Sequence, residues 1–139
     1  MISESADLAL KRKAPKLLIS TTVAATLKAF LLPYARYFRS LGWTVDAMAR
    51  AVASDETCLD AFDHCWDIPW SRSPLDPRNL LHAPSLIQNI VKREGYDIVH
   101  VHTPVAAFVT RFALRNRGVD TLPKIVYTAH GFHFYKGGQ

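Results

Sequence analysis

Cysteine is scarce in this sequence: only Cys58 and Cys65 occur. A structural zinc centre wants four ligands at short spacings, and no second pair stands near Cys65 and its neighbour His64. No disulfide framework can be built either. Both residues are expected as reduced thiols, which fits a cytosolic chain. Glycine is missing where a nucleotide-binding turn would need it. None falls between Thr21 and Arg39. The segment TTVAATLKAF after the first predicted strand is therefore neither a G-x-G-x-x-G turn nor a Walker A loop. Long apolar runs are absent too, and nothing approaches the roughly 20 residues that cross a bilayer. The opening MISESADLALKRKAPK has no apolar stretch of the kind a secretory signal carries, so residues 1–15 are read as a polar, disordered leader. No internal repeat or low-complexity segment is visible.

What is present is an ordinary globular composition. The chain has 139 residues, 49% hydrophobic and 21% charged. That suits one compact domain, set here at residues 16–139, and argues against global disorder. The net charge of +5 suits anionic partners: phosphorylated substrates, anionic lipid headgroups or nucleic acid. A solvated basic surface accounts for it equally well. Lys11, Arg12, Lys13 and Lys16 concentrate some of that charge before the first strand.

Strand and helix patterns alternate along the chain. Lys16 to Thr22 (KLLISTT) is nearly continuous in its hydrophobicity, as a strand covered on both faces should be. Leu27, Phe30, Leu31, Tyr34, Phe38 and Leu41 recur at helical spacing and predict one apolar stripe closed by Gly42. Pro33 either starts the main part of that helix or kinks it. Trp43 to Met48 predicts a second strand and Phe62 to Ile68 a weak third, with a loop or short helix at Ser54 to Asp60 between them. Asp76-Pro77 is a helix start, with a carboxylate cap and proline in the first turn. That helix runs to Glu94, with Pro84 kinking or splitting it and Gly95 ending it. Asp97 to His102 (DIVHVH) predicts strand four. Thr103-Pro104 opens a helix with Val105, Phe108, Val109 and Phe112 on its buried face and Gly118 at its end. Lys124 to Ala129 (KIVYTA) predicts strand five, and HGFHFYKGGQ leaves it. This alternation predicts an α/β fold: a Rossmann-like open parallel sheet with helices on both faces.

In such sheets, ligands bind beyond the C-terminal strand ends, where the strand order reverses. Three segments arrive there: Thr21 to Lys28, His102 to Pro104 and His130 to Lys136. Thr22 and Thr26 offer hydroxyls beside a helix start, although Thr26 also reads as a simple N-cap. His100 and His102 share one face of their strand. His100 reads as a core histidine satisfied by hydrogen bonds. His102, at the strand's mouth, reads equally as functional or structural. His130-Gly131 is the sharpest feature, because glycine admits a close ligand and histidine offers a hydrogen bond near neutral pH. His133 follows two residues later. Four histidines at adjacent strand ends raise the question of a metal, but no carboxylate joins them, and no metal site is assigned. Phe132, Phe134 and Tyr135 suit either a ligand platform or packing against a neighbouring domain.

The runs YDIVHVHTPVAAFVTRFALR and KIVYTAHGFHFYKG, with LPYARYFRSLGWTVDA and IPWSRSPLDPRNL, resemble family 4 glycosyltransferases of bacterial capsule and exopolysaccharide synthesis. The similarity covers about Lys16 to Gly138, and HGFHFYKG is its specific segment. The resemblance implies one half of a GT-B fold, the acceptor-side N-terminal domain, whose C-terminal donor domain is absent from these residues. It implies retaining transfer from a nucleotide sugar, as co-substrate, to a lipid-linked or saccharide acceptor. No further cofactor, metal or nucleic acid is implied. By the same analogy His130 sits at the interdomain cleft near the transferred sugar. Thr22 to Ala29 face the donor phosphates. His102 and Thr103 line the acceptor side, with Gly131 and His133 beside the substrate. The missing glycines after strand one put the donor contact of that loop in question. A chain without the donor half is expected to be inactive alone. The expected location is cytoplasmic, extending to peripheral contact with the inner face of the plasma membrane. Two readings compete with a transferase half or a split-transferase subunit paired with a donor-domain chain. One is a non-catalytic Rossmann-like binding module, and the other is a metal hydrolase using the histidines.

Overall fold

The computed structural model of the chain describes residues 14–71, 73, 75–115 and 123–130. Five strands form one sheet: β1 (Lys16–Val23), β2 (Thr44–Arg50), β3 (Cys65–Asp67), β4 (Ile98–Val101) and β5 (Lys124–Tyr127). Their order is β3-β2-β1-β4-β5, and every neighbouring pair is parallel. The central strand is the one whose sequence is continuously apolar. Leu17 to Thr22 are all buried, because β1 has a neighbour on each side and a helical layer on each face. Burial falls away toward β5 at one edge and the three-residue β3 at the other. The third strand is shorter than the Phe62 to Ile68 expected. The second ends at Arg50 rather than Met48.

Alternation along the strands divides the core in two. Leu18, Met48, Val99 and Val101 pack under α5 (Ala83–Glu94) and α6 (Pro104–Leu114). Leu17, Ile19, Val45 and Ala47 pack under the first crossover and α3 (Glu56–Ala61). The α/β parallel sheet with helices on both faces is thus as expected. No helix among the described residues is long and apolar enough to cross a membrane.

The first crossover departs from a plain helix. It runs as α1 (Ala24–Thr26), a π-helical turn at Leu27–Leu31, and α2 (Leu32–Ser40) with Pro33 in its first turn. Proline has no N–H to give the preceding turn, and the widened turn accommodates it. The wider turn also selects a different buried face. Leu27, Leu31 and Ala35, four apart, are buried. Phe30, Tyr34 and Leu41 of the expected stripe are 59%, 57% and 55% exposed. Thr26 does not cap this helix. The strand runs on to Val23, which holds the cap position, and no side chain caps the first turn.

Other boundaries follow their punctuation. Gly42 and Gly95 adopt φ of +86° and +64° at two helix ends, the left-handed conformation that glycine supplies without steric cost. Asp76 Oδ1 accepts from the Arg78 N–H at 3.0 Å, just before α4 (Arg78–Leu81), but the cap position falls on Pro77 and not on Asp76 as expected. Pro84 then splits this region, because α5 begins afresh with Pro84 in its own first turn. In α6 the buried residues include Ala106, Ala107, Thr110 and Ala113, while Phe108 is 55% exposed and Phe112 half-buried. Small residues let this helix lie close to the sheet, so the bulky ring is turned out. Gly118 lies outside the described residues.

Candidate functional site at the sheet's switch point

The strand order reverses between β1 and β4, where Thr21 and Thr22 near the end of β1 meet His102 and Thr103 just after β4. Between Ser20 and Val23 the β1–β2 register slips by one residue. This bulge turns the end of β1 away from the ladder. The Thr22 N–H donates to Thr103 Oγ1 at 3.0 Å, and the two threonine hydroxyls lie 2.7 Å apart. The Thr22 carbonyl accepts from the indole N–H of Trp70 at 2.7 Å. Trp70 is 1% exposed, so this bond satisfies a buried carbonyl at the bulge. Asn79, also buried, ties down the connector that carries Trp70. Its side chain accepts from the Ser71 N–H and donates to the Ser71 and Ser73 carbonyls.

These contacts frame a cleft of about 480 Å³. Thr22, Thr26, Thr103 and Asn79 supply its polar lining, and Val23, Pro104, Val105, Phe108 and Val109 its apolar walls. The turned-out Phe108 is therefore a wall of this cleft. The cleft also meets the N-terminus of α6. Thr103 holds the cap position there but makes no side-chain cap bond, because its hydroxyl is engaged by Thr22. The first-turn N–H groups of α6 and the helix dipole thus favour a negatively charged ligand group.

The histidines assemble elsewhere. His100 and His102 lie on the sheet face opposite α6, with ring centroids 3.9 Å apart. His100 Nε2 is 2.8 Å from Thr128 Oγ1. His102 Nδ1 is 2.9 Å from His130 Nε2. Phe30 also stacks on the His130 ring at 5.8 Å. Burial, then the neighbouring imidazoles His100 and His130, pushes His102 down to about 3. His100 is lowered too, by burial first and then by His130. Both are neutral at neutral pH. Among the described residues no group of His, Cys, Asp and Glu is arranged to hold a metal ion.

The site residues expected from sequence thus fall into two sets. Thr22, Thr26 and Thr103 share the cleft. His102 and His130 pair with each other on the other face, and neither lines the cleft. Gly131 and His133 lie outside the described residues, as do Phe132, Phe134 and Tyr135. Sequence reasoning missed Trp70, Asn79 and the Phe30 stack. An isolated tryptophan or asparagine in a connector carries no periodic signal, and their partners are distant in sequence.

A parallel α/β sheet with an open crevice at its switch point defines a Rossmann-like domain. The model of the glycosyl transferase 4-like family matches residues 10–139, and the chain belongs to that family. EpsD of Bacillus subtilis (strain 168), named as a glycosyltransferase, is 43% identical over 123 residues, covering 88% of this chain and 30% of that protein. The UDP-Gal:alpha-D-GlcNAc-diphosphoundecaprenol alpha-1,3-galactosyltransferase of Escherichia coli is 42% identical over 48 residues, 34% of this chain and 12% of that protein. A crystal structure of a glycosyltransferase from Rickettsia africae ESF-5 aligns with a TM-score of 0.63 at 20% identity, covering 87% of this chain and 31% of that one. At that identity the likeness is one of fold. The chain spans less than a third of the length of each of these proteins.

Proposed function

We propose that the chain is the acceptor-side, N-terminal half of a retaining GT-B glycosyltransferase. The reaction moves a sugar from a nucleotide sugar to a lipid-linked or saccharide acceptor. The observation that carries this reading is the uncapped α6 N-terminus opening into an uncharged cleft at the switch point of a glycosyl transferase 4-like chain. An uncharged wall suits a sugar or lipid portion, and a free helix N-terminus suits a phosphate. The two threonine-bearing strand ends hold the cleft's shape, so Thr22, Thr26 and Thr103 line the substrate. His130 stands apart, at the rim that a second domain would close, and there offers a hydrogen bond to the transferring sugar. Work takes place in the cytoplasm, at the inner face of the plasma membrane when the acceptor is lipid-linked.

Transfer needs two substrates positioned together and the leaving diphosphate stabilised. These residues span 30% of EpsD, and the donor is held by a second domain. The 139-residue chain by itself should therefore show no transfer from a panel of nucleotide sugars to a lipid-diphosphate acceptor, while addition of a donor domain restores it. Clear turnover by the chain alone would overturn this division of labour. In the two-domain enzyme His130→Ala should lower turnover about 10²-fold, the usual cost of one transition-state hydrogen-bond donor. His130 is itself exposed, but its removal strips the buried His102 Nδ1 of its partner, so some melting temperature is lost as well, and turnover is compared at a temperature where the variant is folded. Matching losses of stability and activity would assign the residue to structure instead.

A further inference from the structure

The pair His102–His130 has a property that neither residue has alone. His102 is 5% exposed, and its Nε2 is buried without a hydrogen-bond partner among the described residues. Its Nδ1 faces His130 Nε2 at 2.9 Å. One of these two nitrogens must carry the shared proton, and the choice fixes both rings. If His130 donated, neutral His102 would carry its own proton on Nε2, as a buried N–H with no acceptor. Orphaned buried N–H groups are the rarer defect in folded proteins, and a bare acceptor is more readily tolerated. The pairing that avoids the orphan has His102 Nδ1–H donating to the Nε2 lone pair of His130. Neutral His130 then carries its proton on Nδ1. That nitrogen makes no hydrogen bond within the described residues, and the ring is exposed.

We propose that His102 is a positioning residue that holds His130 in the Nδ1–H tautomer, so that His130 presents a single N–H donor to an acceptor oxygen of the bound substrate. This rests on the reading of His130 as a substrate-facing residue. The ligand chemistry it selects is a hydroxyl, ring or phosphate oxygen that accepts. Ring contacts support the device. Phe30 stacks on His130 at 5.8 Å, and His100 lies 3.9 Å from His102 by ring centroid. His100 is itself tied to Thr128 at 2.8 Å. Neither imidazole can turn freely to exchange donor for acceptor. The low affinity of His102 for a second proton keeps it neutral across the working range.

The experiment reads the proton directly. In the 139-residue chain labelled with ¹⁵N-histidine, two-bond ¹H–¹⁵N correlations at about pH 8, where an ordinary histidine is neutral, separate protonated from bare ring nitrogens. The expected pattern is a protonated Nδ1 and bare Nε2 for His130, with the same pattern for His102. His102→Phe should move the His130 proton to Nε2, the form preferred by free imidazole side chains. A wild-type spectrum with the proton on His130 Nε2 overturns the proposal. So does a folded His102→Phe chain in which His130 is unchanged. Should His102→Phe not fold, the wild-type spectrum decides alone. The tautomer is read without substrate, so its outcome is separate from the function of His130. If the tautomer is as expected but His130→Ala leaves turnover intact in the two-domain enzyme, the functional reading fails and the proton assignment stands.

Discussion

Trp70→Phe and Trp66→Phe each delete one indole N–H donor, yet they should differ in cost by about 2 kcal/mol. Trp70 donates to the Thr22 carbonyl at 2.7 Å and is 1% exposed. The β1 bulge leaves that carbonyl outside the ladder, so phenylalanine would strand a buried acceptor, which costs about 1–3 kcal/mol. The smaller ring adds about 1 kcal/mol of lost packing. The total is about 3 kcal/mol, or roughly 10 °C in melting temperature for a domain of this size. Trp66 donates to the Tyr96 hydroxyl at 2.9 Å and is half-buried. Tyr96 in turn donates to Asp46 Oδ2 at 2.5 Å. When Trp66 is replaced, the buried Asp46 keeps its Tyr96 bond and its contacts to the backbone N–H and ring of His64. The one hydrogen bond lost is that to the tyrosine oxygen, phenylalanine keeps a ring beside His64 and Arg93, and the cost should be about 1 kcal/mol. The assay is urea unfolding followed by far-UV circular dichroism, whose signal does not depend on the tryptophan removed. Equal losses, or a larger loss for Trp66→Phe, would refute the account of Trp70 as the satisfier of the bulge. Under the proposed function, Trp70→Phe should also weaken substrate binding by the full-length protein, because Thr22 loses one of the contacts that frame the cleft.

Acid should destabilise the fold through the buried His102. His102 falls from 6.5 to about 3 on folding, so below about pH 6.5 the unfolded chain binds a proton that the folded chain refuses. Stability therefore drops as pH falls through that window, by about 1.4 kcal/mol per pH unit for one such group. Urea midpoints measured across the window should show this slope, and His102→Phe should lessen it. An unchanged slope would refute the assignment. Gly95→Ala should cost about 1–2 kcal/mol, from backbone strain alone. Its φ is +64° and nothing lies within 4 Å of the added carbon. A loss well above that, measured by thermal unfolding, would mean that a steric contact had been missed.

Local pattern alone was enough for the architecture. The continuous apolar run of Leu17 to Ile19, the alternation of strand and helix, and the glycines at 42 and 95 each respond to short-range physics. A central strand must be apolar on both faces, and a left-handed helix end favours glycine. The turn at Asp76 was legible for the same reason, since its partner Arg78 is two residues away, although Pro77 and not Asp76 holds the cap position. The resemblance carried by HGFHFYKG named the family, which periodicity could not have done.

Other features depended on partners far apart in the chain. The apolar stripe was misread because the π turn before Pro33 shifts which side chains meet the sheet, and a wheel of fixed pitch cannot show that. Phe108 was placed inside because it is large and apolar. The inner face of α6 is instead taken by Val105, Ala106, Val109, Thr110, Ala113 and Leu114, and so Phe108 became a cleft wall. Among the described residues, Thr22, Thr26, His102, Thr103 and His130 lie at or just beyond the C-terminal strand ends, where any parallel sheet gathers its loops. Sequence could not divide them between two faces. The strand order beside β1, and the alternation of β4, put Thr103 in the cleft with Thr22 and sent His102 to meet His130 instead. Sequence determined which residues reach that end of the sheet. The tertiary structure decided which of them touch, because contacts across 81 and 28 residues are set by strand neighbours and not by the chain's local preferences.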